Sequence, residues 1–220
     1  MSHYHKNTND LTRESLKIKV CGMNQNTVEV SDLKPDYLGF IFWKPSKRSF
    51  SGLPLVLPHS IKKVGVFVDD SIEGIIEKVK KYQLLAVQLH GNENPGFCNS
   101  LKQKLKGVEI IKVFSIKDEF NFQELEPFEL VCDYYLFDTK GRLPGGNGYK
   151  FNWTVLKDYP SSKPFFLSGG IGLEDVDSIK EFMQRPESRY CHAIDVNSKF
   201  ELEPGLKDID KLKAFINYMK

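Results

Sequence analysis

No apolar run in the sequence approaches the roughly 20 residues that span a bilayer, so a membrane partner is not expected. The first residues, Met1 to Leu16, are polar and lack the apolar core of a secretory signal. They read as an extension ahead of a folded unit, and the expected location is cytoplasmic. A surplus of charge is also missing: 31 Lys+Arg against 29 Asp+Glu leave a net charge of +2. That is too little to displace counterions from nucleic acid, so no general nucleic-acid role is expected. A local anion pocket stays open, because backbone amides form one without changing net charge. Cysteine is sparse and scattered, at Cys21, Cys98, Cys132 and Cys191, and no C-x-x-C pair occurs. Neither a zinc ribbon nor a thioredoxin-like motif is supported, and no metal is expected. No linker or composition break divides the chain.

What is present is a recurring rhythm. Hydrophobic residues make up 40% of the 220 and Phe alone contributes 16, enough for a large core without disulfides. Eight short apolar runs recur: Ile18–Cys21, Tyr37–Phe42, Lys63–Val68, Leu85–His90, Val108–Phe114, Tyr134–Asp138, Phe165–Ser168 and Ala193–Val196. Most are continuously apolar, which suits strands buried on both faces of a parallel sheet. Amphipathic segments lie between them. Ser71–Tyr82 has a serine cap, apolar residues at helical spacing and closing lysines. Glu174–Gln184 and Lys207–Met219 behave similarly, Asn94–Lys106 is a weaker helix, and proline-bearing Ser51–His59 predicts an irregular connection. Eight units of about 25 residues fill the chain after the extension. The expectation is a single-domain (β/α)8 barrel over residues 17–220, preceded by an extension over 1–16; an open doubly wound sheet is the alternative.

In such a barrel the ends of the strands carry the chemistry. Ser168-Gly169-Gly170 leaves the seventh run just before a helix start at Leu173-Glu174-Asp175, and Asn197-Ser198 follows the eighth. Together they suit a phosphate cradle, against the plainer reading of ordinary turns. Gly141 to Gly148 reads as a flap or as a surface loop. Asp138, at the end of a buried strand, is a candidate general acid whose pKa partial burial would raise. Asp195 is its rival, or a structural acceptor. Cys21 can serve as a base if nearby positive charge lowers its pKa, though a buried small hydrophobe is the commoner fate of a lone cysteine. Arg48 offers a fork for a planar carboxylate or is a solvated loop residue. His90 is a substrate contact or a hydrogen-bonded rim histidine.

These segments occur together and in order: Lys19-Val-Cys-Gly22, Tyr37-Leu-Gly-Phe-Ile-Phe42 with Ser46-Lys-Arg48, Val64-Gly-Val-Phe-Val68, Val87-Gln-Leu-His-Gly91, Phe137-Asp-Thr139 with Gly145-Gly-Asn-Gly148, Leu167-Ser-Gly-Gly-Ile171, and Asp195-Val-Asn-Ser198 with Glu201 and Pro204-Gly205. From about Lys17 to the C-terminus the chain resembles the phosphoribosylanthranilate isomerases of tryptophan biosynthesis. The resemblance implies a (β/α)8 barrel that performs an Amadori rearrangement on a small phosphorylated substrate, without metal or cofactor. It implies Cys21 as general base, Asp138 as general acid, Arg48 as carboxylate holder, and Gly169, Gly170, Asn197 and Ser198 as the phosphate cradle. Asp195 is then structural or substrate-orienting. Lys199 stands where family members commonly have glycine.

Two other functions compete. Indole-glycerol-phosphate synthase shares the phosphate site but relies on lysine and glutamate at strand ends, where this chain offers Cys21 and Asp138. A catalytically silent barrel that binds a phosphorylated ligand is the other. A monomer is expected, with a homodimer as the alternative.

Overall fold

The computed structural model describes residues 15–117, 119–139 and 152–220. The Gly141–Gly148 segment, residue 118 and all but the last two residues of the N-terminal extension lie outside them.

Eight parallel strands close into a barrel in sequence order. They are β1 (Lys17–Cys21), β2 (Tyr37–Ile41), β3 (Lys62–Phe67), β4 (Ala86–Leu89), β5 (Glu109–Ile116), β6 (Tyr134–Thr139), β7 (Phe165–Leu167) and β8 (Cys191–Val196). Their ends differ from the eight apolar runs by at most two residues, and the open-sheet alternative is excluded. Closure is made by β8 on β1, with Lys17 opposite Ala193 and Lys19 opposite Asp195. Because every pair is parallel, all C-terminal strand ends meet at one rim.

Alternation along each strand divides the core in two. Outward residues such as Val20, Leu38, Phe67, Val87, Tyr135 and Ile194 pack under the helices in the larger cluster. Inward residues Tyr37, Val64, Ala86, Ile111, Val113, Leu136, Phe166 and Ala193 fill the barrel itself. At its N-terminal end Phe166 meets the Tyr37 and Tyr134 rings edge-on at 5.3 and 5.4 Å. The β7–β8 pairing shifts register between Phe165 and Phe166, skipping His192. His192 Nε2 lies 2.7 Å from the Tyr37 hydroxyl in the same plug. Side chains therefore fill the barrel below, and the strand-end candidates gather at the other rim.

The outer layer is lean. Helix α1 spans Thr27–Asp32, α2 Ile72–Tyr82, α3 Pro95–Lys104, α4 Val176–Met183 and α5 Ile209–Met219. Ser71 caps α2 by accepting from Gly74 N, as its position before the apolar pattern predicts. The Asn94-Pro95 start proves favourable: Asn94 accepts from Phe97 N, and proline occupies the first turn, where its missing N–H costs nothing. Ser51–His59 forms no helix, as its prolines predict. Among the described residues, the connections after β5 and β6 contain 3₁₀ turns, Phe122–Phe128 and Trp153–Asp158, and no α-helix.

One sequence expectation is corrected. The last helix does not begin at Lys207 but at Ile209, with Asp208 as its cap through Lys211 N. Lys207 belongs instead to β10 (Leu206–Lys207), which pairs antiparallel with β9 (Glu201–Glu203). The lysine is turned inward because its ammonium is a rim component.

Candidate active site at the C-terminal rim

A pocket of roughly 640 Å³, open to solvent, lies at the C-terminal ends of the strands. Cys21, Gln88, His90, Asp138, Gly169, Gly170, Asp195, Asn197 and Ser198 are among its lining residues. Every sequence-derived candidate except Arg48 therefore borders one cavity.

Cys21 ends β1 and faces inward, two residues beyond Lys19 on the same side. Its partner on β2 is Gly39, where a Cβ would sit 2.8 Å from the Cys21 sulfur, so glycine is what leaves the thiol its space. Lys19 has no exposed surface and donates to Asp195 Oδ2 at 2.8 Å, and Cys21 lies near enough to share its charge. Burial works to lower the Lys19 pKa, but the charges of Asp195 and Cys21 outweigh it, and the ammonium is held above its usual range. Burial pushes the Cys21 thiol up, with Lys19 opposing. Burial likewise raises Asp195, against the pull of Lys19. The arrangement is one buried cation shared by a thiol and a carboxylate.

Asp138 faces this group from β6. Its Oδ1 accepts from Thr139 N at 2.9 Å, and its Oδ2 lies 3.4 Å from His90 Nε2. His90 is steadied on its other side by the Gln88 amide at 3.2 Å from Nδ1. Below this loop, Lys112 donates to Gly91 O at 2.8 Å and to Glu93 Oε2 at 3.0 Å, which fixes the exit of β4.

The cradle residues form two adjoining turns. Gly169 and Gly170 adopt φ of +99° and +65°, and a side chain on Gly169 would collide with Thr139. The chain then enters a 3₁₀ turn at Leu173–Asp175, where Gly172 N donates to Asp175 Oδ2 at 2.9 Å, and continues into α4. Asn197 and Ser198 come from the turn after β8. Lys199 reaches back to Glu174 at 3.3 Å, so the residue standing in place of a glycine ties one turn to the other.

Arg48 lies at the edge, outside the pocket lining. Its Nε donates to both oxygens of Glu201, at 2.9 and 2.8 Å, and Nη2 lies 2.7 Å from Oε2. Lys207, also fully buried, donates to Glu201 Oε1 and Asn197 Oδ1 at 2.8 Å each. Burial alone would raise the Glu201 pKa; Arg48 and Lys207 overcome that and hold it low. Lys19 is legible in the sequence, two residues before Cys21 and on the same face by strand parity, but its pairing with Asp195 is not. Sequence reading missed Lys207. Lys207 gave no signal, since a lysine beside a helical pattern reads as the start of the helix. Among the described residues, no group of three or more His, Cys, Asp or Glu side chains is disposed to hold a metal ion.

Fold and rim together define a (β/α)8-barrel enzyme with its chemistry at the C-terminal strand ends. Residues 16–218 match the family model described as N-(5'-phosphoribosyl)anthranilate (PRA) isomerase. The isomerase of Parabacteroides distasonis is 44% identical over 207 residues, covering 90% of this chain and 91% of that protein. A crystal structure of phosphoribosyl anthranilate isomerase with reduced 1-(o-carboxyphenylamino)-1-deoxyribulose 5-phosphate superposes with a TM-score of 0.74 at 28% identity, covering 93% of this chain and 98% of the other. A structure of monomers generated from the dimeric Thermotoga maritima enzyme gives 0.70 at 27% identity, with the same coverage. The chain belongs to the N-(5'-phosphoribosyl)anthranilate isomerase family, the isomerases of tryptophan biosynthesis. No helix among the described residues is long and apolar enough to cross a membrane.

Glu201 is the hinge of the rim network, and Glu201→Gln would leave Lys207 buried without a counter-charge. We expect a loss of about 3–5 kcal/mol in denaturant unfolding. A change below about 1 kcal/mol would show that the network is not needed for stability.

Proposed function

We propose that this pocket converts N-(5-phosphoribosyl)anthranilate to 1-(2-carboxyphenylamino)-1-deoxyribulose 5-phosphate, with Asp138 as general acid and Cys21 as general base. The observation carrying this reading is that a buried thiol on β1 and a carboxylate on β6 border the same cavity. Asp138 protonates the furanose ring oxygen, and the ring opens to an iminium at C1. That cation acidifies the hydrogen on C2, which the Cys21 thiolate removes. The resulting enolamine then tautomerises to the aminoketone. Two chemically different groups suit this acid-then-base sequence better than a matched carboxylate pair.

Burial of Cys21 disfavours the thiolate before substrate arrives. Lys19 counters it from below, and the iminium adds a second positive charge beside the sulfur once the ring has opened. Gly169, Gly170, Asn197 and Ser198 would hold the phosphate through amides and short polar side chains. Arg48, steadied by Glu201, would offer Nη1 to the anthranilate carboxylate from the edge of the pocket. His90 would contact the substrate beside Asp138. For assembly we retain the monomer, with a homodimer as the alternative that the dimeric Thermotoga maritima relative brings in. For location we retain the cytoplasm, which suits an enzyme of amino-acid biosynthesis.

Loss of anthranilate fluorescence from the substrate should report turnover in the presence of a chelator. Cys21→Ser and Asp138→Asn should each lower kcat by about 10²–10⁴-fold with an unchanged circular dichroism spectrum. Near-normal turnover in either would remove that residue from its role. The raised thiol pKa sets the sign of the pH dependence. The thiolate fraction grows with pH, so alkylation of Cys21 by iodoacetamide, read against Cys21→Ser, should quicken from neutrality into the alkaline range, and a rate flat between about pH 6 and 9 would overturn the raised thiol pKa. Arg48→Ala should raise KM by about tenfold or more with a smaller effect on kcat, and an unchanged KM would end its carboxylate role.

A further inference from the structure

Asp195 is used on one side only. Oδ2 takes the Lys19 ammonium at 2.8 Å, while Oδ1 is buried without a hydrogen-bond partner. The residue is 6% exposed and borders the pocket. An unsatisfied buried acceptor is costly, and an acceptor kept beside a ligand cavity is satisfied when the ligand brings a donor. Two other buried carbonyl or carboxylate oxygens are weaker cases. Glu109 Oε2 is also unpartnered, but Glu109 does not line the pocket. Gln88 Oε1 does face the pocket unpartnered, yet an amide can be turned end for end to present nitrogen instead. A carboxylate has no such alternative and, paired with a buried lysine, it can only accept.

We propose that Asp195 Oδ1 is the acceptor for the hydroxyl on C2 of the sugar, fixing that carbon over Cys21 and selecting for substrates that carry this hydroxyl. The proposal rests on the isomerase reading above. Phosphate and carboxylate groups are repelled by Oδ1, which leaves the sugar hydroxyls as the donors of choice. Position selects among them. Lys19 is directly opposite Asp195, and Cys21 lies two residues further along β1. Asp195 is thus on the strand beside the base and one inward layer deeper. The carbon that gives its hydrogen to Cys21 is the carbon whose hydroxyl can reach down to Oδ1. Held there, the C2–H bond is aimed at the sulfur. A site built to bond a hydroxyl also rejects analogues that lack it far more strongly than an apolar pocket rejects a missing methylene.

The test is binding without turnover, measured calorimetrically. The probes are the reduced product analogue bound in the relative's crystal structure and its 2-deoxy and 3-deoxy counterparts. With the wild-type enzyme, loss of the C2 hydroxyl should weaken binding about 10- to 100-fold, and loss of the C3 hydroxyl by about threefold or less. In Asp195→Ala neither acceptor nor donor remains at this position to meet the hydroxyl. That variant should bind the reduced analogue and its 2-deoxy form within about threefold of each other. Equal wild-type affinity for these two ligands would overturn the proposal, as would a loss that falls on C3 instead. If the variant does not fold, the wild-type comparison decides alone. A wild-type enzyme that binds none of the three would overturn the isomerase reading itself, so the two failures are distinguishable.

Discussion

Lys19 and Asp195 face each other at 2.8 Å across the pairing that joins the first strand to the last. Both are almost wholly removed from water, so each would carry a desolvation cost of several kcal/mol if left alone. Together they fix the height of β1 against β8, and with it the position of everything above. Cys21 is two residues beyond one partner, and Asn197 two beyond the other. Replacing the pair with packed hydrophobes can leave such a barrel equally stable, since buried ion pairs seldom add net stability. It would also remove the stronger of the two buried lysine charges, Lys19 and Lys207, that favour the Cys21 thiolate. The pair is better understood as electrostatic preparation of the site than as a source of stability.

The same economy governs the rim. In the proposed function, a substrate carrying a phosphate and a carboxylate would be met without a basic surface, on a chain whose net charge is +2. Buried cations are each tied to a buried carboxylate: Lys19 to Asp195, Lys112 to Glu93 and Lys207 to Glu201. Each pair adds no net charge while holding one strand exit or turn. On the proposed reading the phosphate would be left to glycine amides, while Arg48 is held at the edge by a carboxylate that it shares with Lys207.

The strands were legible because burial on both faces leaves an unmistakable run of apolar residues. Their inward polar ends, Cys21, His90 and Asp138, were legible because polar side chains at the close of such runs need a reason. The lean outer layer was less so. A helix was excluded after β2 by its prolines, but nothing local marked the connections after β5 and β6 as 3₁₀ turns. Lys207 shows the limit most clearly. Its role depends on Glu201 and Asn197, brought to it by the β9–β10 hairpin and the turn after β8, and helical periodicity downstream masked its strand. Arg48 was picked out as a fork for carboxylate, but its pairing with Glu201 joins residues 153 positions apart, beyond any local pattern.

The seam between β1 and β8 also imposes an order on the life of the molecule. The hydrogen bond that prepares the thiol spans 176 residues, so the first strand acquires its partner only when the last has been made. Non-local closure of this kind is slow to nucleate. A version of the chain that ends between β6 and β8, emerging or clipped, would carry Cys21 and Asp138 yet lack the carboxylate and the turn that complete their surroundings. On the proposed chemistry, competence would wait for barrel closure, and activity would report that the first strand and the last are joined.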